Sequence, residues 1–447
     1  MERQQFQQAL LQAAIAEGLQ DAEVYAEFSS ATSVKVNEGE LDTYETSEEG
    51  GVSFRARFND KMGYAYTEKI EQDSIHFLVE AVKKNADVIE IEDTTTSFAG
   101  SERYAQAAFY NDNLEAVTPA AMISTLQQVE EQILALDERI KRVSYCQMQL
   151  FTGERHLVNA KGLDLHEASN GLIIYANAVA MANGETKTGS EVEIIDDLTQ
   201  FTSERFAKRV AAQAVAGLGG LSIASEKYPV ILENEAATAL LNVFTSSFSA
   251  EEAQKGMSRL QGKVGKQVAA AQVTITDEPR YIKSLSKTTF DAEGVATMPR
   301  TIIKQGVLQT LLHNRRTAEE AGVVTTGNAY KPSYKGTISI APHKFILQAG
   351  AVSKDKLITE IDKGVLITSL AGLHAGANTI SGDFSVAASG FYIEDGKIVG
   401  PTKQMTIASN FFELLTTIEA VADDIYAGFA RVSSPSLRIA PIAVTVE

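Results

Sequence analysis

Residues 372–401 read GLHAGANTISGDFSVAASGFYIEDGKIVGP, with six glycines spread through apolar alternation. Two strand-like runs, 383–389 and 390–393, lead into Asp395-Gly396, and 397–399 returns from it. Asp-Gly between alternating runs predicts a tight hairpin, so this stretch is antiparallel sheet. What precedes it is less ordinary. Gly372, Gly376 and Gly382 surround His374, Asn378 and Asp383, so a loop with freed backbone presents three polar side chains at a strand junction. Such glycine spacing suits backbone that approaches a ligand or a partner chain. His374 has two readings there, a binding group or a hydrogen bond that fixes the loop.

The same alternation recurs toward the N-terminus. Residues 22–28, 32–36, 41–46, 51–58 and 63–67 form a meander with turns expected at 37–39, 48–50 and 59–61. Strands resume at 143–152, 154–159, 164–170, 172–183 and 186–196, with turns expected at 159–162, Asn170-Gly171 and Asn183-Gly184. Further strands are expected at 228–232, 271–276, 294–303, 306–311 and 337–341.

Helical periodicity marks the first 18 residues (Phe6, Leu10, Ala13, Ala14), then 70–85, 118–137, 201–218, 235–248 and 411–425. Thr118 before Pro119 is an N-cap followed by proline at N1. Residues 90–118 are polar and weakly patterned, a long connection.

Antiparallel runs with helices between them predict an α+β fold, antiparallel sheets with flanking helices, rather than a doubly wound sheet. The organisation is an N-terminal α+β domain (1–110), a middle α+β segment packing with it (111–224) and a mainly β C-terminal domain (225–447). The sharpest break is at 217–225.

Composition narrows the function. The chain has 447 residues, 44% hydrophobic, with formal net charge −18. An acidic protein without a basic cluster is repelled by phosphate backbones and anionic bilayers, so direct nucleic-acid and membrane binding are not expected. Cys146 is the only cysteine, which suits a reducing compartment. The first residues lack a basic n-region and a continuous apolar run, so no signal peptide is read, and a cytoplasmic protein is expected.

Local motifs supply no catalytic constellation. His166-Glu167 resembles the start of a zinc-protease helix, but position 170 is Asn and the surroundings read as strand. His313, in HNRR, reads as a surface position. Cys146 lies mid-strand without basic neighbours and reads as buried and inert. Gly217-Leu218-Gly219-Gly220 follows a helix, the wrong order for a phosphate loop. The acidic pairs Asp196-Asp197 and Asp423-Asp424 read as solvated.

Several stretches together resemble the TldD/PmbA family, in particular its PmbA/TldE-like branch. They are Asp291-Ala-Glu-Gly-Val295, Lys304-Gln-Gly-Val-Leu308, Thr325-Thr-Gly-Asn-Ala329, residues 372–401, Ser409-Asn410 and Ser434-Pro-Ser-Leu-Arg-Ile439, with Gly50-Gly-Val-Ser-Phe-Arg55 and Gly63-Tyr-Ala-Tyr-Thr67 at the N-terminus. The resemblance spans nearly the whole chain. It implies a cytoplasmic peptide-processing metallopeptidase system, long labelled a modulator of DNA gyrase. Active members carry an HExxxH helix and a C-terminal cysteine that hold zinc, and pair with a subunit lacking those ligands.

In this chain the corresponding helix, 234–253, has no histidine, and the cysteine-bearing tail is replaced by Arg431-Val-Ser-Ser-Pro-Ser436. The resemblance therefore implies a TldE-like, non-metal subunit. It binds no cofactor itself, while zinc is expected in a TldD-like partner, and the two form a cleft for an unfolded peptide. His374, Asn378, Asp383 and Asn328 are the candidate cleft residues, and no residue is assigned as catalytic or metal-binding. The alternative is a homodimeric peptide-binding or scaffold protein without protease activity. A weaker possibility is a hydrolase with an unrecognised site around His374 and Asp383.

Overall fold

The structure, a computed structural model, describes residues 1–90, 96–426, 428 and 430–446. The N-terminal half is built on strands β1 (Gln20–Asn37), β2 (Glu40–Phe58), β3 (Lys61–Thr67), β4 (Ile140–Asn159), β5 (Asp164–Ala182) and β6 (Glu185–Ile195). They form one antiparallel sheet in the order β3-β2-β1-β4-β5-β6. The first two stretches of the chain therefore share a single sheet.

Side-chain alternation divides the labour of its two faces. Val24 and Ala26 pack with helices α1 (Arg3–Ala16) and α2 (Gln72–Val88). Val34 and Val36 of the same strand pack with α3 (Pro119–Leu136) and α4 (Ser203–Ala216). Tyr25, of opposite parity, meets Phe290 and Tyr334 from the C-terminal half. One face thus carries the helices and the other receives the rest of the molecule. Thr118 caps α3 as expected, its Oγ1 accepting from Ala121 N at 3.2 Å.

The C-terminal half contains β7 (Glu226–Leu232), β8 (Ile275–Asp277), β9 (Arg300–Lys304), β10 (Val307–Leu308), β11 (Ala329–Tyr330), β12 (Ser339–Ile340) and β13 (Phe345–Leu347). It continues through β14 (Lys363–Ala371), β15 (Asp383–Glu394), β16 (Lys397–Pro401), β17 (Met405–Asn410), β18 (Ile418–Val421), β19 (Val432–Ser433) and β20 (Leu437–Val446). Strand β7 pairs with β14 and β20, β20 with β17, β17 with β15, and β15 with β14. The pairing closes on itself, leaving β16 and β18 outside the ring.

Val230, Leu232, Val365, Ile367, Val386 and Ile407 join α5 (Asn234–Val243) in one large core. Phe244, just past α5, stacks on Phe411 with ring centroids 4.2 Å apart. A smaller sheet, β10-β9-β8-β13-β19, and the pair β11-β12 connect this core to the N-terminal half.

The α+β class and the hairpin are as read, while the runs 22–28 and 32–36 form one strand and the strands expected at 271–276, 306–311 and 337–341 shrink to Ile275–Asp277, Val307–Leu308 and Ser339–Ile340. Asp395 and Gly396 have positive φ (49° and 71°), which a two-residue hairpin turn of the mirror-image type requires. Several turns are not. No turn interrupts β2 at 48–50, nor β5 at Asn170-Gly171, and the runs 143–152 and 154–159 form one strand. These glycines clear space instead of reversing the chain. A Cβ on Gly51 would lie 2.6 Å from Thr67 O and against Tyr334, and one on Gly171 would lie 2.6 Å from Phe151 Cζ.

The last helix is also shorter than read. It covers only Phe411–Thr416, because the chain turns at Thr417 into β18 on the edge of β20. The strand expected at 294–303 begins only at Arg300. Before it lies a buried loop in which Asp291 accepts from Glu293 N, Val295 N and Ala329 N. Within the long connection, 91–95 lie outside the described residues.

Candidate functional site

Chain order alone separates the segment after β7 from residues 431–436 by some two hundred positions, and the fold brings them together. Ser434 N donates to Thr238 Oγ1 of α5 at 2.9 Å, and Asn234 N donates to Ser436 Oγ at 3.1 Å. Asn234 Nδ2 reaches Asp424 O, while the Asp424 carboxylate accepts from Ser436 N and Oγ at 2.8 and 2.7 Å. Thr238, Ser434 and Ser436 are buried. Their hydroxyls are neutral, outside the Cys, His, Asp and Glu groups that zinc takes, and are committed to backbone and Asp424. Among the described residues no group of three or more His, Cys, Asp or Glu side chains is arranged to hold a metal ion.

Beside the start of α5 runs a groove of about 560 Å³. Its walls are residues 191–196 of and just after β6, the loop at 282–287, and Asn234 with Ile425 and Tyr426. Strand β6 is the sheet edge, paired only to β5 among the described residues, so it presents main-chain donors and acceptors along the groove. The groove carries acids and bases together, Glu191, Glu193 and Asp196 with Arg209, Lys283 and Lys287. Burial, then Glu193, pushes the Glu191 carboxyl up, outweighing Arg209 beside it. Burial, then Glu191 and Glu233, pushes Glu235 up. The Tyr426 phenol is raised to about 12 by burial, with Glu235 and Glu191 adding to it.

The predicted site residues fall in two places. His374 is exposed on a one-turn helix, Leu373–Gly376. Asn378 Oδ1 accepts from Ile380 N and Ser381 N, both at 3.0 Å, closing a tight turn. Asp383 accepts from Asn410 Nδ2 and Ser381 Oγ, both at 2.8 Å. Those two bonds, Asn410 first, hold its carboxyl below the usual carboxylate range. Asn378 and Asp383 therefore fix their own loop, which Ser247 Oγ and Arg259 Nη1 pin at Thr379 O and Ser381 O.

Asn328 is elsewhere. It is fully buried, its Nδ2 donating to Asp277 Oδ2 at 2.7 Å and to Ala341 O. No hydrogen bond or ion pair joins it to the other three among the described residues. His313, read as a surface position, is buried at 7% exposure, because 312–314 thread between the 325–328 loop and the short helix Arg315–Ala321. Burial lowers its imidazole pKa. Cys146 is buried as read, its thiol pushed up to about 12 by burial and Glu130.

Sequence reading missed a second concavity, of about 230 Å³, where the C-terminal half meets the helix-free face of the N-terminal sheet. Arg155 bridges that junction. It pairs with Glu167 Oε2 at 2.7 Å, bonds Thr288 Oγ1 and Phe290 O, and lies over the Phe290 ring. No motif announces Arg155.

Three family models match the chain: the PmbA/TldA metallopeptidase domain 1 over residues 22–86, the central domain over 112–218 and the C-terminal domain over 225–446. Metalloprotease PmbA of Escherichia coli O157:H7 is 27% identical over 420 residues, covering 92% of this chain and 89% of that protein. A Metalloprotease TldD homolog of Haemophilus influenzae is also 27% identical, over 90% of this chain and 85% of its own length. Among solved structures, a candidate modulator of a DNA gyrase from Thermotoga maritima has TM-score 0.91 at 30% identity, covering 99% of this chain and 100% of that one. TldE from Thermococcus kodakarensis has TM-score 0.89 at 22% identity, a likeness of fold, covering 98% and 100%.

Proposed function

The chain belongs to the PmbA/TldD metallopeptidase family, and from that premise we propose that it is a TldE-like, non-metal subunit of a complex that processes unfolded peptides in the cytoplasm. One observation carries the reading. Where the family resemblance puts metal ligands, helix α5 and residues 431–436 meet through Thr238, Ser434 and Ser436, whose hydroxyls close on the backbone and on Asp424.

The groove beside α5 supplies what such a subunit needs. A peptide laid along β6 as a further strand gains main-chain hydrogen bonds that do not read side chains, which suits unfolded substrates of varied sequence. Zinc, expected in a TldD-like partner, would supply Lewis-acid activation of water. This chain's residues bind and orient the peptide at the shared cleft.

The purified chain alone should contain far less than stoichiometric zinc by elemental analysis and should leave casein intact. Adding a TldD-like protein should restore cleavage. Stoichiometric zinc or casein cleavage by the lone chain would overturn the proposal. Tight peptide binding by a homodimer, with no gain from the partner, would favour the scaffold reading instead.

A further inference from the structure

The cavity between the two halves holds unspent polar groups of both signs. Most of its charges are already matched. Arg155 is used by Glu167, Thr288 and Phe290 O, and Asp291 by three backbone amides. Three groups keep open positions. Glu27 accepts a backbone N–H from Tyr334, but its Oε2 is buried and has no hydrogen-bond partner. Lys331 is only 8% exposed, yet its ammonium donates to a single acceptor, Ser53 Oγ, at 2.6 Å, and lies 5.1 Å from the Tyr25 ring centroid. Arg431 lies over the Tyr330 ring and donates to Pro342 O, the one side-chain hydrogen bond it makes among the described residues.

Leaving such groups dry and unmatched is costly. Burial, outweighing Arg155, the Tyr334 N–H and Lys331, raises the Glu27 carboxyl pKa, and burial with the charge of Arg55 lowers the Lys331 amine to about 8. Each of the two groups also acts on the other's ionisation less strongly than burial does: Lys331 favours the Glu27 carboxylate, and Glu27 favours the Lys331 ammonium. They do not form an ion pair, so a gap separates an open acceptor from open donors. The space is well beyond the roughly 10–15 Å³ that one water needs.

We infer that this cavity is a binding site for a short zwitterion of dipeptide size, its ammonium on Glu27 and its carboxylate on Lys331 and Arg431. A lone anion would leave Glu27 Oε2 without a partner, and a lone cation would leave the remaining donors of Lys331 and Arg431 so. The site lies at the junction of the two halves, built from β1 and β4 on one side and from residues just after β11 and just before β19 on the other. An occupant therefore ties them together. The inference does not depend on the partner protease.

Isothermal titration calorimetry on the full chain tests it with Ala-Ala, N-acetyl-Ala-Ala, Ala-Ala-amide and inorganic phosphate. Ala-Ala should bind one to one, and each blocked form should bind at least about tenfold more weakly, since each strands one buried charge. Glu27→Gln should erase the discrimination against the acetylated form, and Lys331→Met that against the amide. A merely structural role would not separate the two ends of the ligand in this way. Absence of Ala-Ala binding, blocked forms binding as well as Ala-Ala, or phosphate matching it would each overturn the inference. If Lys331→Met does not fold, the near-isosteric Glu27→Gln decides alone through the acetyl comparison. Failure here leaves the zinc and casein experiment untouched, so the two readings fall separately.

Discussion

Gly390→Ala should open the closed ring of the C-terminal half. Gly390 sits in β15 where β14 arrives, paired with Ile367, and the register then jumps to Ser369–Ser389. Thr368 is the residue left over, its Oγ1 donating to Ser389 O at 3.2 Å. This bulge presses the two backbones together. A Cβ on Gly390 would fall against Leu366 O, 2.9 Å from Leu366 C and 3.0 Å from Ile367 Cα. All three are main-chain atoms, so no rotamer change relieves the overlap and the strands must separate.

Overpacking of this kind costs about 1–3 kcal/mol. Two or three neighbouring hydrogen bonds, including those from Thr402 N and Oγ1 to Gly390 O, add about 1 kcal/mol each when weakened. The sum is roughly 3–6 kcal/mol, a large share of a typical domain stability of about 5–15 kcal/mol. Gly372→Ala is the control. Gly372 has φ +76° with nothing within 4 Å of a built Cβ, so only the left-handed backbone is penalised, by about 1–2 kcal/mol. The assay is urea unfolding followed by far-UV circular dichroism, with hydrogen exchange of β14 to place the loss. A chain of several domains need not unfold in two states, so midpoints of the C-terminal transition are compared. A midpoint for Gly390→Ala equal to wild type, or lowered less than for Gly372→Ala, would refute the reasoning.

Other outcomes follow from single contacts. Glu23 and Arg55 form a buried two-bond pair, at 2.8 and 3.1 Å, so Arg55→Met should cost about 3–5 kcal/mol in chemical denaturation, and Glu23→Leu added to it should recover most of the loss. The Lys331 amine is lowered from 10.5 to about 8, so the unfolded chain binds more protons than the folded one between those values. Stability from this group therefore rises with pH from about 8 toward 10.5, and the difference in unfolding free energy between wild type and Lys331→Met should shift in wild type's favour over that window. Asn410→Ala should cost about 2 kcal/mol, because it removes the cap of Phe411–Thr416 and the bonds to Ser381 O and Asp383 Oδ1, and limited proteolysis near 378–382 should accelerate.

Glycine was where sequence reading erred most. At Asp395-Gly396 the residue pair and its flanks are enough, since the positive φ values the turn needs are a local property. At Gly51 and Gly171 the same residue type marks a place where Tyr334, or Phe151 and Leu285, comes close. Those neighbours are distant in sequence, so no local rule separates such a glycine from a turn. Asn378 and Asp383 read as a polar set among glycines that holds peptide or loop, and their partners, Ile380 N, Ser381 and Asn410, tie them to their own loop.

The amino-acid order by itself determined the α+β class, most strand and helix positions, the Asp395-Gly396 hairpin, the Thr118 cap and the membership of a family whose motifs run the length of the chain. Periodicity, turn chemistry and capping act over a few residues, so they are readable without a fold. Tertiary structure decided the rest. It closed β14 onto both β7 and β15, brought α5 against residues 431–436, and set Glu27 and Lys331 across one cavity. Each of those depends on burial and register between segments far apart in the chain, where the free energy of packing, and not any local preference, selects the neighbour.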